Sequence, residues 1–253
     1  MQHWELFLFF IVIAFVYASV GFGGGSSYLA ILSLYALPLA EIKLTALVCN
    51  IIVVTGGTLI FIKNKQVNWR KVLPLIITSV PMAFLGARWK LEQNTFFIIL
   101  GISLLTASIL LWIRMRPKED LERITMSTNI YRDAIIGGLI GFLSGMVGIG
   151  GGIFLSPILL MCGWDTPKKI AATASLFILV NSISGIAGQL SHPTSGINFT
   201  QIGILCAAVF VGGQIGSRLG AVKFDQLLVR RMTALLVFVA GIDVLAKHLH
   251  WFK

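Results

Sequence analysis

The 253-residue chain is 57% apolar and only 12% charged, with a formal net charge of +10, whereas about a quarter of a soluble domain is charged. That balance excludes a water-soluble enzyme and a nucleic-acid-binding domain, because the Lys and Arg lie in short tracts between apolar runs, as the topology anchors of a membrane protein do. Residues 6–40 and 134–164 carry no charged side chain, and 170–217 hold only His192 among the Asp, Glu, Lys, Arg and His types; each run exceeds the roughly 20 residues that cross a bilayer once.

The first apolar stretch, residues 5–20, meets a glycine cluster, Val20-Gly21-Phe22-Gly23-Gly24-Gly25. Val16-Tyr17-Ala18 has the form of a signal-peptidase site, but residues 1–5 contain no Lys or Arg, as an n-region would. A second apolar piece, 26–37, follows, and then three ordinary spans are expected near 44–62, 72–89 and 94–113. A charged stretch, 116–128, is read as a cytoplasmic linker. Beyond it comes another long apolar run interrupted by Val147-Gly148-Ile149-Gly150-Gly151-Gly152, followed by spans expected near 170–190, 199–217 and 227–246. The expected architecture is all-α and polytopic, with about eight hydrophobic segments.

The chain is also similar to itself. Gly21 falls on Gly148 at an offset of 127; Thr45 meets Thr173 and Gly57 meets Gly185 at 128; Asn68 meets Asn198, Gly86 meets Gly216 and Arg88 meets Arg218 at 130. Ordered matches with slowly growing offsets indicate duplication, so residues 1–115 and 129–253 are two versions of one unit. If each long uncharged run were a single span, the halves would be parallel and the 20 Lys and Arg would divide 9 to 11 across the membrane, against the positive-inside rule. If each glycine cluster instead turns the chain back, the second half is inverted. One side then receives Lys63, Lys65, Arg70, Lys71, Arg114, Arg116, Lys118, Arg123, Arg132, Lys168, Lys169, Arg218, Lys223, Arg230 and Arg231, which is 15. The other keeps Lys43, Arg88, Lys90, Lys247 and Lys253, which is 5, and lies outside with both termini. The pieces flanking the first cluster, 16 and 12 residues, reach about 24 and 18 Å at the helical rise, short of the ~30 Å of hydrocarbon. Two re-entrant or broken hairpins are therefore expected.

Irregular backbone at membrane depth requires a protein-buried or wet environment, and the helix beginning after each cluster offers unpaired N–H groups and the positive end of its dipole. Such ends attract anions, and two of them meeting between inverted repeats would form a site near the midplane. The competing reading is close helix packing through small residues. The candidate substrate-binding residues are Gly21, Gly23, Gly24, Gly25, Ser26, Gly148, Gly150, Gly151 and Gly152 at the breaks. Thr45, Asn50, Thr173, Ser175, Asn181 and Ser182 follow in the next spans, where hydroxyls and amides bond either an oxyanion or a neighbouring helix. Arg88 and Arg218 are either snorkelling anchors or gate contacts. Asp243 is a candidate proton or cation partner, and His192, in a Ser-His-Pro-Thr loop, reads as a solvated turn. Cys49, Cys162 and Cys206 have no metal-site spacing and are read as packing residues. No cofactor or metal is called for.

The duplicated Val-Gly-x-Gly-Gly-Gly, Pro157 after the second copy and Ala171-Ala172-Thr173-Ala174-Ser175-Leu176 resemble the TauE/SafE family of sulfite exporters, with a pattern covering essentially the whole chain. The resemblance implies an inner-membrane protein of bacteria or archaea that moves small sulfur-containing anions such as sulfite, sulfonates or thiosulfate. The first half departs from the pattern, with Ala30 where Pro157 stands and Thr45-Ala46-Leu47-Val48 as a looser version of the second motif. The leading expectation is a secondary carrier with a small anionic substrate, embedded in the lipid bilayer and binding no nucleic acid; oligomer formation is left open. An anion channel, an intramembrane enzyme and a membrane subunit serving a sulfur-metabolism enzyme are the rivals. Without GxxxxGK[ST] in the sequence, nucleotide hydrolysis by this chain is not expected.

Overall fold

The computed structural model is described for residues 4–19, 21–35, 37–113, 129–191, 197–220 and 226–249, and all regular structure among them is helical. Val20, the expected linker 116–128 and His192 lie outside the described residues. In chain order the helices are α1 (Glu5–Ser19), α2 (Gly25–Leu32) with a short 3₁₀ turn (Ser33–Tyr35), α3 (Leu39–Lys63), α4 (Trp69–Arg88), α5 (Gln93–Ile113), α6 (Ile130–Val147), α7 (Gly152–Met161), α8 (Pro167–Leu190), α9 (Phe199–Gly220) and α10 (Gln226–Leu249). Six of them are long and apolar enough to cross a membrane: α3, α4, α5, α6, α8 and α9. The 24 residues of α10 reach about 36 Å at the helical rise. Large side chains such as Leu59, Ile77, Leu85, Ile102, Ile109, Leu139 and Phe210 face outward, a surface that would be an aggregation hazard in water and is ordinary in lipid.

Both glycine clusters break the chain where the sequence places them, but the first pieces are unequal. α1 has 15 residues and α2 only 8, while α6 has 18 and α7 has 10. At about 27 Å, α6 is nearly a full span, longer than the pieces expected in the first half. Each pair nonetheless turns back on itself. The Tyr35 hydroxyl after α2 donates to Glu5 Oε2 at the start of α1, at 3.4 Å. The Trp164 indole N–H after α7 donates to Asp133 Oδ2 at the start of α6, at 2.8 Å. A chain end that returns to its own beginning is a hairpin.

Helix directions follow from which glycines face which neighbours. A methyl on Gly137, Gly141 or Gly145 of α6 would overlap the carbonyls of Leu75, Ser79 and Ala83 of α4 respectively, so the two helices run parallel with their backbones in contact. Gly212 and Gly216 of α9 meet Ile11 and Phe15 of α1 in the same parallel sense. α3 and α8 cross the centre antiparallel: Gly57 and Thr58 lie by Ser175, whereas Leu47 lies by Gly185. α5 and α10 are also antiparallel, with Gly101 against Leu245 and Leu104 against Gly241. These contacts need residues without Cβ because transmembrane helices associate by close backbone approach rather than by expelling water.

The interior is centred on α8, of whose most apolar window 67% is buried. The buried side chains of the bundle include Phe177 of α8 itself and Phe10, Tyr17, Tyr28, Leu47, Phe96 and Phe97 of other helices, with the rings of Phe10 and Tyr28 stacked at 4.6 Å. One end of the bundle carries a charged cluster: Lys71 Nζ stands 3.1 Å from Asp165 Oδ2 and donates to the Trp164 carbonyl at 2.7 Å, and Lys169 lies 3.7 Å from the other Asp165 oxygen. Asp133 and Asp165 are buried, and paired cations make such burial tolerable.

Candidate functional site

The glycines of each break have separable tasks. Gly21, with φ +83°, follows the end of α1; its N–H donates to the Ala18 carbonyl and the next N–H, of Phe22, to the Tyr17 carbonyl. That double bond satisfies carbonyls the helix end would otherwise leave bare. Gly148, φ +85°, ends α6 with a single N–H bond to the Ser144 carbonyl at 2.7 Å, the simpler version of the same cap. Gly24 and Gly151, also left-handed, precede α2 and α7, and neither N-terminus has a side-chain cap from the preceding residue.

What the first break lacks in a local cap it obtains from α3. The Gly25 N–H, first of α2, donates to Asn50 Oδ1 at 2.8 Å, and Asn50 Nδ2 donates to the Ile149 carbonyl at 2.9 Å. Asn50 is completely buried, so both ends of its amide are committed, one to each glycine cluster. The absence of Cβ atoms makes this possible: a methyl on Gly23 would overlap Asn50 Oδ1, one on Gly25 would overlap Asn50 Nδ2, and one on Gly150 would stand 2.9 Å from the same nitrogen. The two clusters, 127 residues apart in sequence, thus meet at one side chain.

Buried hydroxyls and amides are frequent in the helices that carry this junction, α1, α2, α3 and α8. Tyr17 bonds Ser26 at 3.2 Å and Ser27 at 2.8 Å, and Thr58 bonds Ser175 at 2.8 Å. Thr45, Thr173, Asn181 and Ser182 are all buried. Asn181 Nδ2 donates to the Phe177 carbonyl at 2.8 Å, but Asn181 Oδ1, Ser182 Oγ, Thr173 Oγ1, Ser144 Oγ and the Tyr28 hydroxyl have no hydrogen-bond partner among the described residues. Of these, the Tyr28 hydroxyl lies by Gly24, Ser144 by Gly151 and Ser182 by Gly150, and a buried polar atom never satisfied would cost about 1–3 kcal/mol.

Of the sequence candidates, the structure brings together Gly23, Gly25, Asn50 and Gly150 at the junction itself. Gly21 packs on Phe61 and Ala171, Gly24 on Tyr28 and Ile13, Gly151 on Phe177 and Ser144, and Gly152 on Ile178. Ser26 bonds Tyr17 and Ser175 bonds Thr58. Arg88 and Arg218 are exposed at the last turns of α4 and α9, with the Arg88 guanidinium over the ring of its own helix's Phe84 at 5.7 Å; neither is brought to the junction. Asp243 is half-buried in α10.

Lys43 was placed among the loop charges by the sequence, and the structure moves it. α3 begins at Leu39, a turn before the expected boundary, so Lys43 lies inside the helix with 7% of its surface exposed. Its stem packs at 3.5 Å from where a Gly148 methyl would stand, its ammonium is 5.6 Å from the centre of the Phe96 ring, and no carboxylate among the described residues pairs with it. Sequence reasoning had one signal for it: aligned on the repeat, Lys43 stands where the other half has Ala171.

The sulfite exporter TauE/SafE family model matches residues 6–244. The chain is 33% identical over 237 residues to a probable membrane transporter protein of Sinorhizobium fredii, covering 93% of this chain and 95% of that protein. It is 28% identical over 209 residues to a probable membrane transporter protein of Bacillus subtilis (75% and 76% covered), and 26% over 170 residues to one of Methanocaldococcus jannaschii (65% and 62%). No solved structure matches it. With a match that spans nearly every residue and a bundle of membrane-length helices around broken hairpins, the chain belongs to the TauE/SafE sulfite exporter family of membrane transporters.

Proposed function

We propose that the protein is a secondary carrier that moves a small anion, a sulfur-containing oxyanion such as sulfite, a sulfonate or thiosulfate, across the cytoplasmic membrane by alternating access. The observation that carries this reading is the junction at Asn50, where two interrupted hairpins and a set of unpartnered buried hydroxyls meet inside an apolar sheath. Backbone donors without a partner at a helix start favour an anion inside the protein for the reason that helix N-termini do in water: the N–H groups and the dipole end point at it. Membership in a family of sulfite exporters supports the sulfur oxyanion, and the reading involves solute movement rather than covalent chemistry.

The halves, 1–115 and 129–253, are read as inverted repeats. The antiparallel courses of α3 against α8 and of α5 against α10 support this, since these are repeat-related helices, and so does the reciprocity of contacts: Gly86 meets Phe142 as Gly216 meets Phe15. In this reading the charge bias puts both termini outside and the 116–128 linker in the cytoplasm. Transport then consists of one half tilting against the other about the central pair α3 and α8, as in other carriers built from inverted repeats with discontinuous helices.

Uptake of radiolabelled sulfite, thiosulfate and methanesulfonate into proteoliposomes tests the proposal, with Gly24→Leu and Gly151→Leu variants that still elute as folded protein in detergent. Saturable flux of one oxyanion, abolished by either variant, is the expected result. Flux that rises without saturation would replace the carrier by a channel, and flux surviving both substitutions would remove the glycine breaks from the path.

A further inference from the structure

We infer that the anion site is one-sided: it is built on the second break, at the start of α7, with Lys43 and Ser182 as its charged and hydroxyl ligands, while the first break is closed by the protein's own Asn50. This rests on the anion-carrier reading and adds which break the anion occupies. In the repeat alignment, between Thr45/Thr173 and Gly57/Gly185, Asn50 falls on Ile178. Both residues lie against the corresponding break. Asn50 gives its oxygen to the Gly25 N–H, whereas Ile178 sets a hydrocarbon side chain against Gly150 and Gly152 and has nothing to accept with. The N–H groups of Gly150, Gly151, Gly152 and Ile153 meet no acceptor among the described residues, and the first bonds of α7 are those of Phe154 and Leu155 to the Gly151 carbonyl; at the first break Gly23, Gly24 and Ser26 are alike in this, and the difference is the capped Gly25.

Two further side chains lie near this break, Ser182 at Gly150 and the stem of Lys43 at Gly148. Ser182 is completely buried, its Oγ is unpartnered, and it stands 3.1 Å from where a Gly150 methyl would be. Its repeat counterpart is Val54. Lys43 packs its stem on Gly148, one residue before Ile149, with its ammonium over the Phe96 ring, whereas at the related contact the nearest side chains to Gly21 are Ala171 and Phe61. The second break therefore has a lysine stem beside it, an unpartnered serine hydroxyl at Gly150 and no amide cap, whereas the first has an alanine, a valine and the Asn50 cap on Gly25, with the Tyr28 hydroxyl beside Gly24 as its own unpartnered group. An oxyanion with several acceptor oxygens and one or two negative charges matches the second set; a cation or a neutral solute does not. The Asn50 Nδ2 bond to the Ile149 carbonyl holds that carbonyl, which would repel an anion, turned toward the amide and away from the ligand.

The test is sulfite uptake and sulfite-dependent thermal stabilisation of the full chain. Lys43→Met and Ser182→Ala are each expected to raise KM tenfold or more, with Lys43→Arg recovering most of the loss. Ile178→Asn, which supplies α7 with the cap that α2 already has, is expected to abolish sulfite stabilisation while raising the melting temperature without ligand, a readout that a merely misfolded variant does not give. Ser27→Ala, at the first break, is expected to stay within twofold of native. Equal losses in Ser27→Ala and Ser182→Ala, or native KM in both Lys43→Met and Ser182→Ala, would overturn the one-sided site and leave the anion carrier standing. Should the native protein neither move nor be stabilised by sulfite, sulfate, thiosulfate or methanesulfonate, the anion reading falls and the site with it.

Discussion

The first hairpin is short, closed loosely at its mouth and capped at its tip; the second is long, closed firmly at its mouth and open at its tip. At the mouths, Tyr35 reaches Glu5 over 3.4 Å in an exposed setting, while Trp164 reaches the buried Asp133 at 2.8 Å and sits beside the Lys71–Asp165 pair. At the tips, Asn50 bonds Gly25 where Ile178 merely touches Gly152. On the proposed reading of the halves as repeats, the polar groups of the two hairpins lie at opposite ends of them. The lesson is that repeat-related positions that differ in chemistry carry more information about function than those that agree, because agreement is what common packing already requires.

Breaking the junction is expected to have the largest effect. Asn50→Leu leaves the Gly25 N–H and the Ile149 carbonyl bare at once, and buried unsatisfied groups cost about 1–3 kcal/mol each, so about 2–6 kcal/mol of stability should be lost. Asn181→Leu removes one bond, to a carbonyl already inside α8, and should cost about 1 kcal/mol or less, in line with hydrogen bonds inside membrane proteins. Thermal melts of the two purified variants in one detergent decide between them. Equal losses would mean that Asn50 acts as a packing residue and that the two breaks are held together by something else.

How much of this was legible in the sequence can be traced residue by residue. The apolar runs and both glycine clusters set the helices well: the expected spans 72–89 and 94–113 became Trp69–Arg88 and Gln93–Ile113. Those helices have no polar alternative in lipid, so their ends fall where charges begin. The return of each chain at its break was expected from the charge bias, and the Tyr35 and Trp164 bonds place both mouths. Lys43 was misplaced because a charge near a boundary is ordinarily a loop residue, and only the shape of the interior, with Gly148 and Phe96 around the stem, buries it. The bond from Asn50 to Ile149, 99 residues away, was beyond any local signal. Its counterpart was not: reading Asn50 against Ile178 needs only the alignment. Arg88 and Arg218 attracted interest because they recur, yet both are exposed at helix ends, where a long cation with a snorkelling stem is the ordinary outcome.

The mouths sharpen the comparison with a smaller effect. Trp164→Phe keeps the ring under the Lys71 ammonium, 5.3 Å from its centre in the native protein, and removes only the N–H that serves Asp133. Losing a donor to a buried carboxylate should cost about 1–3 kcal/mol, read as a lowered midpoint of unfolding. Because Arg132 still faces Asp133 at 3.3 Å, the lower half of that range is expected. Tyr35→Phe removes a long bond in an exposed setting, where single substitutions usually stay within about 0.5 kcal/mol, and its melt should overlay the native curve. A Tyr35→Phe variant as unstable as Trp164→Phe would show that the first hairpin is held at its mouth after all, and the contrast between a firm and a loose hairpin would then survive only at the tips. The expected order, with the second mouth the stronger, has a consequence for transport. On the proposed carrier reading, a hairpin fixed at its mouth presents a ligand site without bending, and the smaller hairpin, which Asn50 joins at its tip to the second break, is the element with freedom to move at its mouth.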